Sequence, residues 1–386
     1  MRVAVNVEQL LYPSPGGTGR YASRIVALLP SLFDGDTVIP FVAFHSRQKI
    51  GAAYHAFGLD RAGVSEPARL PLPRPLLYDS WHRLGLPRLD RHPRELATAD
   101  LVHVPFPAVP PRGHRPLVVT VHDAAFEVFP EAYTRRGRSF HQRGVEAAAR
   151  RADLVITVSQ AAADEIVKYT PIPGERLRVV PNGVDHIAAD PAEVVRTLAR
   201  FGLDDRPYVL WVGSLEPRKD VGTLLSAFAR LSPLRPGPAH RLVLVGPRGW
   251  LGGGHIDEAD IARLGDQLRM LGQVDDTALR ALYAGADLFA FPSLTEGFGL
   301  PVLEAMVQNT AVVCSDIPAL REVSAGAARL VPPGNVEEWT AALGSLLTQP
   351  ESRAALAEAG RARAADFSWE RSVIATRRVY EEALAG

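Results

Sequence analysis

Cysteine is almost absent from this chain of 386 residues, Cys314 being the only one. That count excludes a disulfide framework and a cysteine-ligated zinc site. Lysine is scarce as well: among 43 basic residues only Lys49, Lys168 and Lys219 are lysine, so each stands out against an arginine background. Net charge is missing too, at +0, and with a pI near 7.2 there is no global field to recruit nucleic acid or an anionic membrane. No run approaches the roughly 18 apolar residues that span a bilayer. The opening MRVAVNVEQL alternates like a strand and lacks the continuous apolar core of a signal peptide, so a cytoplasmic chain is expected.

What is present is an ordinary globular composition, 47% hydrophobic and 22% charged. At about 100 to 200 residues per domain, the length suggests two domains. Short valine-rich runs bounded by turn residues alternate with amphipathic segments, the pattern of βαβ units and parallel sheets. RVAVNV at 2–7, VIPFVAF at 38–44, LVVTVHD at 117–123 and DLVITVS at 153–159 predict a first series of strands. YVLWVGS at 208–214, RLVLVG at 241–246, DLFAFPS at 287–293 and AVVCSD at 311–316 predict a second, with helical patterns at 221–231 and 275–286. Between the series, 181–207 breaks the strand pattern with Asn-Gly, prolines and charges, which places a hinge near residue 188. The expected class is therefore α/β, with two doubly wound domains at 1–188 and 189–366 and a final helix over 367–386. No repeat of 20–50 residues is visible.

Two surface segments leave alternatives open. Residues 67–97 read either as a surface loop plus a short helix, with Tyr78 and Trp81 exposed, or as a surface that handles an acceptor or a membrane. Residues 134–153 gather Arg135, Arg136, Arg138, Arg143, Arg150 and Arg151. They form either a solvated helix face or a contact with anionic lipid, on the order of 1 kcal/mol per arginine.

The chemistry concentrates in EGFGLPVLEAM at 296–306. Pro301 suits the first turn of a helix, and Gly297 and Gly299 before it let another molecule approach the backbone. Amides at a helix N-terminus, with the partial charge of about +0.5 there, favour a phosphate. Glu304 lies one turn inside the helix and Glu296 before the loop, so a carboxylate flanks the anion on either side. Ionised carboxylates only accept hydrogen bonds, which suits hydroxyl pairs on sugars. A sugar, a diphosphate and a ribose in line make a nucleotide sugar. Such a ligand needs cations nearby, and Arg218 and Lys219 in GSLEPRKD follow a predicted strand at the edge where parallel sheets bind ligands.

In the first domain PSPGGTGRYA at 13–22 is expected as a flexible loop ahead of a helix, its amides facing the diphosphate. Gly17, Gly19 and Ala22 fit G-x-G-x-x-A, but EQLLYPSPG is too long for the tight turn of a dinucleotide fold, which argues against a dehydrogenase. His122 and Asp123 end the strand 117–123, where the ring can bond a sugar hydroxyl or assist proton movement.

The chain resembles the large retaining glycosyltransferase family 4 of the GT-B fold. The resemblance rests on GGTGRY, VHD, ITVSQ at 156–160, VVPNGVD at 179–185, VGSLEPRKD and FPSLTEGFGLPVLEAM at 291–306, the last holding an E-x7-E motif. It implies two Rossmann-like domains facing a cleft, with the terminal helix crossing back to the first. It assigns Glu296 to the hexose hydroxyls, Glu304 to the ribose, Arg218 and Lys219 to the diphosphate, and the amides of Phe298, Gly299 and Leu300 to diphosphate and sugar. His122 would lie near the reacting carbon, and Gly17 would approach the diphosphate. Ser214 stands where many members have arginine, as in a subset with EPRK, and the base pocket is expected around Gly246 and Val274. No metal or other cofactor is implied, because cations and helix amides stabilise the departing diphosphate. The acceptor would be a glycan or lipid-linked hydroxyl, and EPRK points to mannosyl- and rhamnosyltransferase-like members of surface polysaccharide biosynthesis, hence GDP-mannose. A nucleotide-sugar epimerase and a catalytically silent sugar-nucleotide sensor are the rival readings; a pyridoxal-dependent phosphorylase is disfavoured, since no lysine follows Lys219.

Overall fold

Runs that are apolar on both faces are satisfied only inside a sheet covered on both sides, and the longest of them here are the central strands. The computed structural model describes residues 1–90, 94–231, 240–247 and 257–386. One sheet is made of β1 (Arg2–Asn6), β2 (Thr37–Val42), β3 (Ala68–Arg69), β4 (Leu101–Val104), β5 (Leu117–Thr120), β6 (Leu154–Thr157) and β7 (Leu177–Val179). The other holds β8 (Tyr208–Val212), β9 (Arg241–Val245), β10 (Leu268–Gly272), β11 (Leu288–Phe291), β12 (Val312–Ser315) and β13 (Arg329–Val331). The orders are β3-β2-β1-β4-β5-β6-β7 and β10-β9-β8-β11-β12-β13, and the pairs are parallel throughout. In each, the order reverses once, beside β1 and β4 in the first sheet and beside β8 and β11 in the second. Ligands of such sheets bind outside the carboxyl ends of the strands at that reversal.

Two units follow from these sheets. One comprises Met1–Val128, Thr134–Gly183 and Trp369–Gly386; the other Phe129–Tyr133 and Val184–Ser368. The stretch 181–207 is not all linker, since Pro191–Phe201 is a helix capped by Asp190 and ended by Gly202 at φ 61°. The terminal helix Trp369–Ala385 packs in the first unit. There Arg377 Nε donates to Asp36 Oδ2 at 2.7 Å, and Tyr380 Oη lies 2.7 Å from His103 Nδ1.

Two expectations are corrected. Residues 16–22 are not a loop: the helix Gly16–Leu32 already contains Gly17, Gly19 and Ala22. A side chain at Gly19 would bring its Cβ within 2.4 Å of Pro15 Cβ, which explains that glycine by packing. Tyr78 and Trp81 are not exposed but buried on the helix Arg74–Arg83, with rings stacked 5.7 Å apart. The arginines of the helix Arg135–Arg151 divide: Arg135, Arg136 and Arg150 are exposed, and the other three are engaged within the protein. Arg138 pairs with Glu127 at 2.8 Å and Arg143 with Asp79 at 3.5 Å, while Arg151 donates to the carbonyls of Trp81, Val109 and Pro110. Among the described residues no helix is long and apolar enough to cross a membrane.

Gly246 marks where β9 meets the loop after β8. Its φ is 137°, a Cβ there would lie 1.9 Å from the carbonyl oxygen of Gly213, and its amide donates to Gly272 O at 2.8 Å. Both the backbone region and the contact forbid a side chain. Gly246→Ala should lower the unfolding free energy by about 3 kcal/mol, read as a drop in the denaturation midpoint; an unchanged midpoint would contradict the close approach.

Candidate active site

The second unit brings Arg218, Lys219 and Glu296 together at the reversal of strand order. After β8 the chain passes Gly213 and Ser214, whose carbonyl oxygen accepts from Glu216 N at 2.8 Å. It then makes a short 3-10 turn, Pro217–Lys219, closed by Lys219 N donating to Glu216 O at 3.0 Å. After β11 the chain runs back past that turn, and Leu294 N donates to Arg218 O at 2.8 Å. One backbone bond thus fastens the loop bearing Glu296 to the turn bearing the cations.

The side chains meet accordingly. Lys219 Nζ donates to Glu296 Oε1 at 2.5 Å, and Arg218 Nη1 to Glu296 Oε2 at 3.5 Å. Arg218 Nε donates to Glu216 Oε2 at 3.0 Å, and the ammonium of Lys219 also lies 4.9 Å from the centre of the Phe291 ring. Glu216, Lys219 and Glu296 are all buried. Burial pushes the Glu296 carboxyl up, but Lys219 and Arg218 overcome it and hold the group below its usual range. For Lys219, burial and the neighbouring Arg218 outweigh Glu296 and lower its proton affinity.

Next to Glu296 the chain turns through Gly297 and buried Phe298, whose ring meets Phe367 edge-on at 5.7 Å. Gly299 has φ 107°, and a Cβ there would lie 2.5 Å from Leu320 Cδ2. The helix Leu300–Val307 then begins with Pro301 in its first turn and no side-chain cap. Some helices here are closed by Asp190, Asp275 or Ser159 accepting from an early amide, whereas this one, like those that follow Pro15, Pro73 and Ile317, has no side-chain cap. Glu304, half-buried in this helix, accepts from Tyr283 Oη at 3.0 Å. Val274 lies half-buried just beyond β10, close in sequence to the Gly272 that pairs with Gly246.

In the first unit Gly17 is exposed in the first turn of its helix. His122 lies two residues beyond β5, with Nε2 3.0 Å from the carbonyl oxygen of Pro105. A carbonyl only accepts, so Nε2 bears the proton and the neutral ring keeps Nδ1 as an acceptor. Burial lowers its proton affinity against the opposing pull of the Pro105 carbonyl and Asp123. Behind it runs a buried polar chain: Tyr380 to His103, His103 Nε2 to Thr120 Oγ1 at 2.8 Å, and Thr120 to Tyr21 at 3.1 Å. The Tyr21 ring meets the His122 ring edge-on at 5.2 Å. His103, buried and beside His122, is driven down to about 3 and is neutral at ordinary pH.

Four residues of these arrangements escape a reading of the sequence. Glu216 is signalled only by its place in LEPRKD, an acid beside two cations. Tyr283, Tyr21 and His103 have no local signal, because their partners lie far away in the chain.

The charge pair has a pH signature. A carboxylate held low in the folded state stabilises fully above its ordinary value, and this stability is lost as pH falls through the lowered folded value. Replacing Lys219 by methionine removes the closer cation and leaves burial to raise the folded value of Glu296, so the stability lost on acidification should shrink. The variant should also be about 3 kcal/mol less stable at neutral pH. Urea midpoints of the two proteins measured from roughly pH 7 to 3 should converge on acidification, as the wild type loses the contribution of ionised Glu296; parallel curves would mean that Lys219 does not govern Glu296.

Comparison with known proteins agrees with this architecture. A model described as Glycosyltransferase Family 4 matches residues 15–187, and one described as Glycosyl transferases group 1 matches residues 198–363. The O-antigen chain mannosyltransferase B of Escherichia coli is 29% identical over 99% of this chain and all of its own length. The MMP alpha-(1->4)-mannosyltransferase of Mycolicibacterium hassiacum is 36% identical over 70% of this chain and 66% of its own. Among solved structures, Anabaena Alr3699/HepE in complex with UDP and glucose superposes with a TM-score of 0.75 at 21% identity over 99% of both chains. The two matched stretches follow one another across both sheets, and the chain belongs to glycosyltransferase family 4, with the GT-B fold.

Proposed function

We propose that this glycosyltransferase is a retaining enzyme that moves mannose from GDP-mannose to a hydroxyl of a glycan or lipid-linked acceptor. The observation that supports it is the meeting of Arg218, Lys219 and Glu296 at the carboxyl edge of β8 and β11, beside a helix that starts without a side-chain cap. Departure of a nucleoside diphosphate leaves charge on its phosphate, and Arg218, Lys219 and the amides from Gly297 to Leu300 suit that charge without a metal. Glu296 takes hydrogen bonds from the hexose hydroxyls and Glu304 from the ribose. Neither acts as a covalent nucleophile. The acceptor oxygen bonds to the anomeric carbon on the face from which the diphosphate leaves, the carbon–phosphate-oxygen bond breaks, and the acceptor's proton passes to the leaving phosphate. Ser214, Gly246 and Val274 belong to the donor pocket in this reading. His122, neutral with Nδ1 as acceptor, suits a sugar hydroxyl, and Gly17 offers a helix-terminal amide to a phosphate.

A donor screen for released nucleoside diphosphate, with the anomeric configuration of the product read by NMR, tests this directly. GDP-mannose should turn over in the presence of EDTA with its configuration kept, and GDP should bind more tightly than UDP in calorimetry. Glu296→Ala should lower turnover about a hundredfold or more while the melting curve stays cooperative. Undiminished turnover, an inverted product or tighter binding of UDP would each overturn the corresponding part.

We also propose that the enzyme works in the cytoplasm with peripheral contact to the inner face of the membrane. The support is a patch other than the arginine run: Leu76, Leu84 and Leu86 are 60%, 75% and 58% exposed on and just past the helix Arg74–Arg83, beside exposed Arg83 and Arg88. Exposed leucines framed by arginine suit an anionic interface. In liposome flotation the protein should rise with vesicles containing anionic lipid, and Leu84→Glu with Leu86→Glu should keep it in the dense fraction; equal flotation of both would count against this surface.

A further inference from the structure

We propose that Tyr283 is a positioning residue for donor recognition, its hydroxyl holding Glu304 in the orientation that meets the ribose and so setting the preference for ribo- over deoxyribonucleotides. This rests on the reading of Glu304 as acceptor of the ribose hydroxyls.

The two glutamates of the motif are held in different ways. Glu296 is fixed by two cations, which already take much of its charge. Glu304 sits half-buried on a helix of 8 residues and takes the Tyr283 hydroxyl at 3.0 Å on Oε2. A neutral donor fixes the carboxylate without cancelling its charge. A carboxylate offers about four lone-pair directions, so the bond from Tyr283 orients the group without using up its acceptors.

Tyr283 is itself unable to swing. It is 1% exposed in the last turn of the helix Asp276–Ala284, whose first turn is capped by Asp275. Its ring meets that of Phe289, in β11, at 5.3 Å and 67°. Its carbonyl accepts from Thr310 Oγ1 at 2.6 Å, while Thr310 N donates to Ala305 O at 3.1 Å. Thr310 therefore ties Tyr283 to the far end of the helix bearing Glu304, and the phenol reaches the carboxylate from a fixed base. A buried phenol needs a partner for its O–H, and here the partner is the carboxylate. Phenylalanine keeps the ring contact and removes only the hydroxyl.

The test is calorimetric binding of GDP and of 2′,3′-dideoxy-GDP to wild type, Tyr283→Phe, Glu304→Gln and the double variant, with UDP and its dideoxy form run in parallel. Wild type should prefer the ribonucleotide, and Tyr283→Phe should reduce that preference about tenfold while leaving the affinity for the dideoxy form in place. A merely structural role would weaken both nucleotides alike. Because both residues act through one contact, the double variant should lose no more preference than Glu304→Gln alone. A wild type that does not distinguish the sugars overturns the ribose reading of Glu304 and the proposal with it. A wild type that does, beside a Tyr283→Phe protein that distinguishes them equally well, overturns the role of Tyr283 alone. If Tyr283→Phe does not fold, the same ratio in Thr310→Val, which frees the Tyr283 carbonyl, decides: an unchanged preference counts against the proposal and a reduced one supports it.

Discussion

The buried pair of Lys219 and Glu296 is the constraint to which the second unit is fitted. Two ions taken out of water cost several kcal/mol each before their attraction is counted, and residues of similar volume without charge would fill the space at no greater cost. The fold bears this by closing the charges on one another. Glu216 takes the Nε of Arg218, Arg218 and Lys219 share Glu296, and the ring of Phe291 faces the ammonium. Two carboxylates against two cations leave the cluster close to neutral, which is what permits its burial. Such an arrangement is poor evidence of selection for stability and better evidence of charges kept for exchange with a charged ligand. In the proposed reading the diphosphate becomes that ligand: Arg218 and Lys219 turn part of their donors to phosphate, and Glu296 is released to sugar hydroxyls.

The first unit solves a different problem, that of holding a histidine neutral. His122 donates through Nε2 to a backbone carbonyl, so its other nitrogen can only accept. Protonation is opposed by burial, and the nearby His103 is neutral for the same reason. The buried chain from Tyr380 through His103 and Thr120 to Tyr21 shows how distant segments are recruited to this end. Tyr380 comes from the last helix of the chain, Tyr21 from the first. A buried polar chain satisfied at each step fixes one geometry more strictly than apolar packing does. The C-terminal helix is therefore part of the first sheet's surroundings and not an appendage.

How much of this was legible in the sequence depends on how far each partner lies along the chain. The central strands β1, β5, β6, β8, β9, β11 and β12 stand out because burial on both faces writes them as unbroken apolar runs. The strands passed over are of other kinds. β7, β10 and β13 lie at or near sheet edges and are only partly buried, so their sequences LRV, LRMLG and RLV mix in polar residues. β4 is fully buried but reads LVHV, its apolar run interrupted by the histidine that Tyr380 satisfies. The motif around Glu296 was readable because loop, helix start and both carboxylates fall within 296–306. The mistake over residues 16–22 has the opposite cause: glycines suggest a loop when read locally, whereas Gly19 is required by the approach of Pro15 inside a helix. Tyr78 and Trp81 misled in the same way, since their shelter, including the Phe140 ring 5.9 Å from Tyr78, comes from another helix.

The contrast between the two glutamates follows from these neighbours rather than from their spacing. An E-x7-E pattern states only that two carboxylates bracket a turn and the start of a helix. What distinguishes them is that Glu296 meets cations across two loops joined by Leu294 N and Arg218 O, while Glu304 meets the hydroxyl of a buried tyrosine. A carboxylate paired with cations sits where negative charge must be balanced, next to a phosphate. One oriented by a neutral hydroxyl is set by a bond that does not balance its charge, and suits a group that donates hydrogen bonds without charge. The pairing of each acid with its neighbour thus points the same way as the order of the proposed ligand, with the diphosphate nearer the cations and a ribose deeper along the helix.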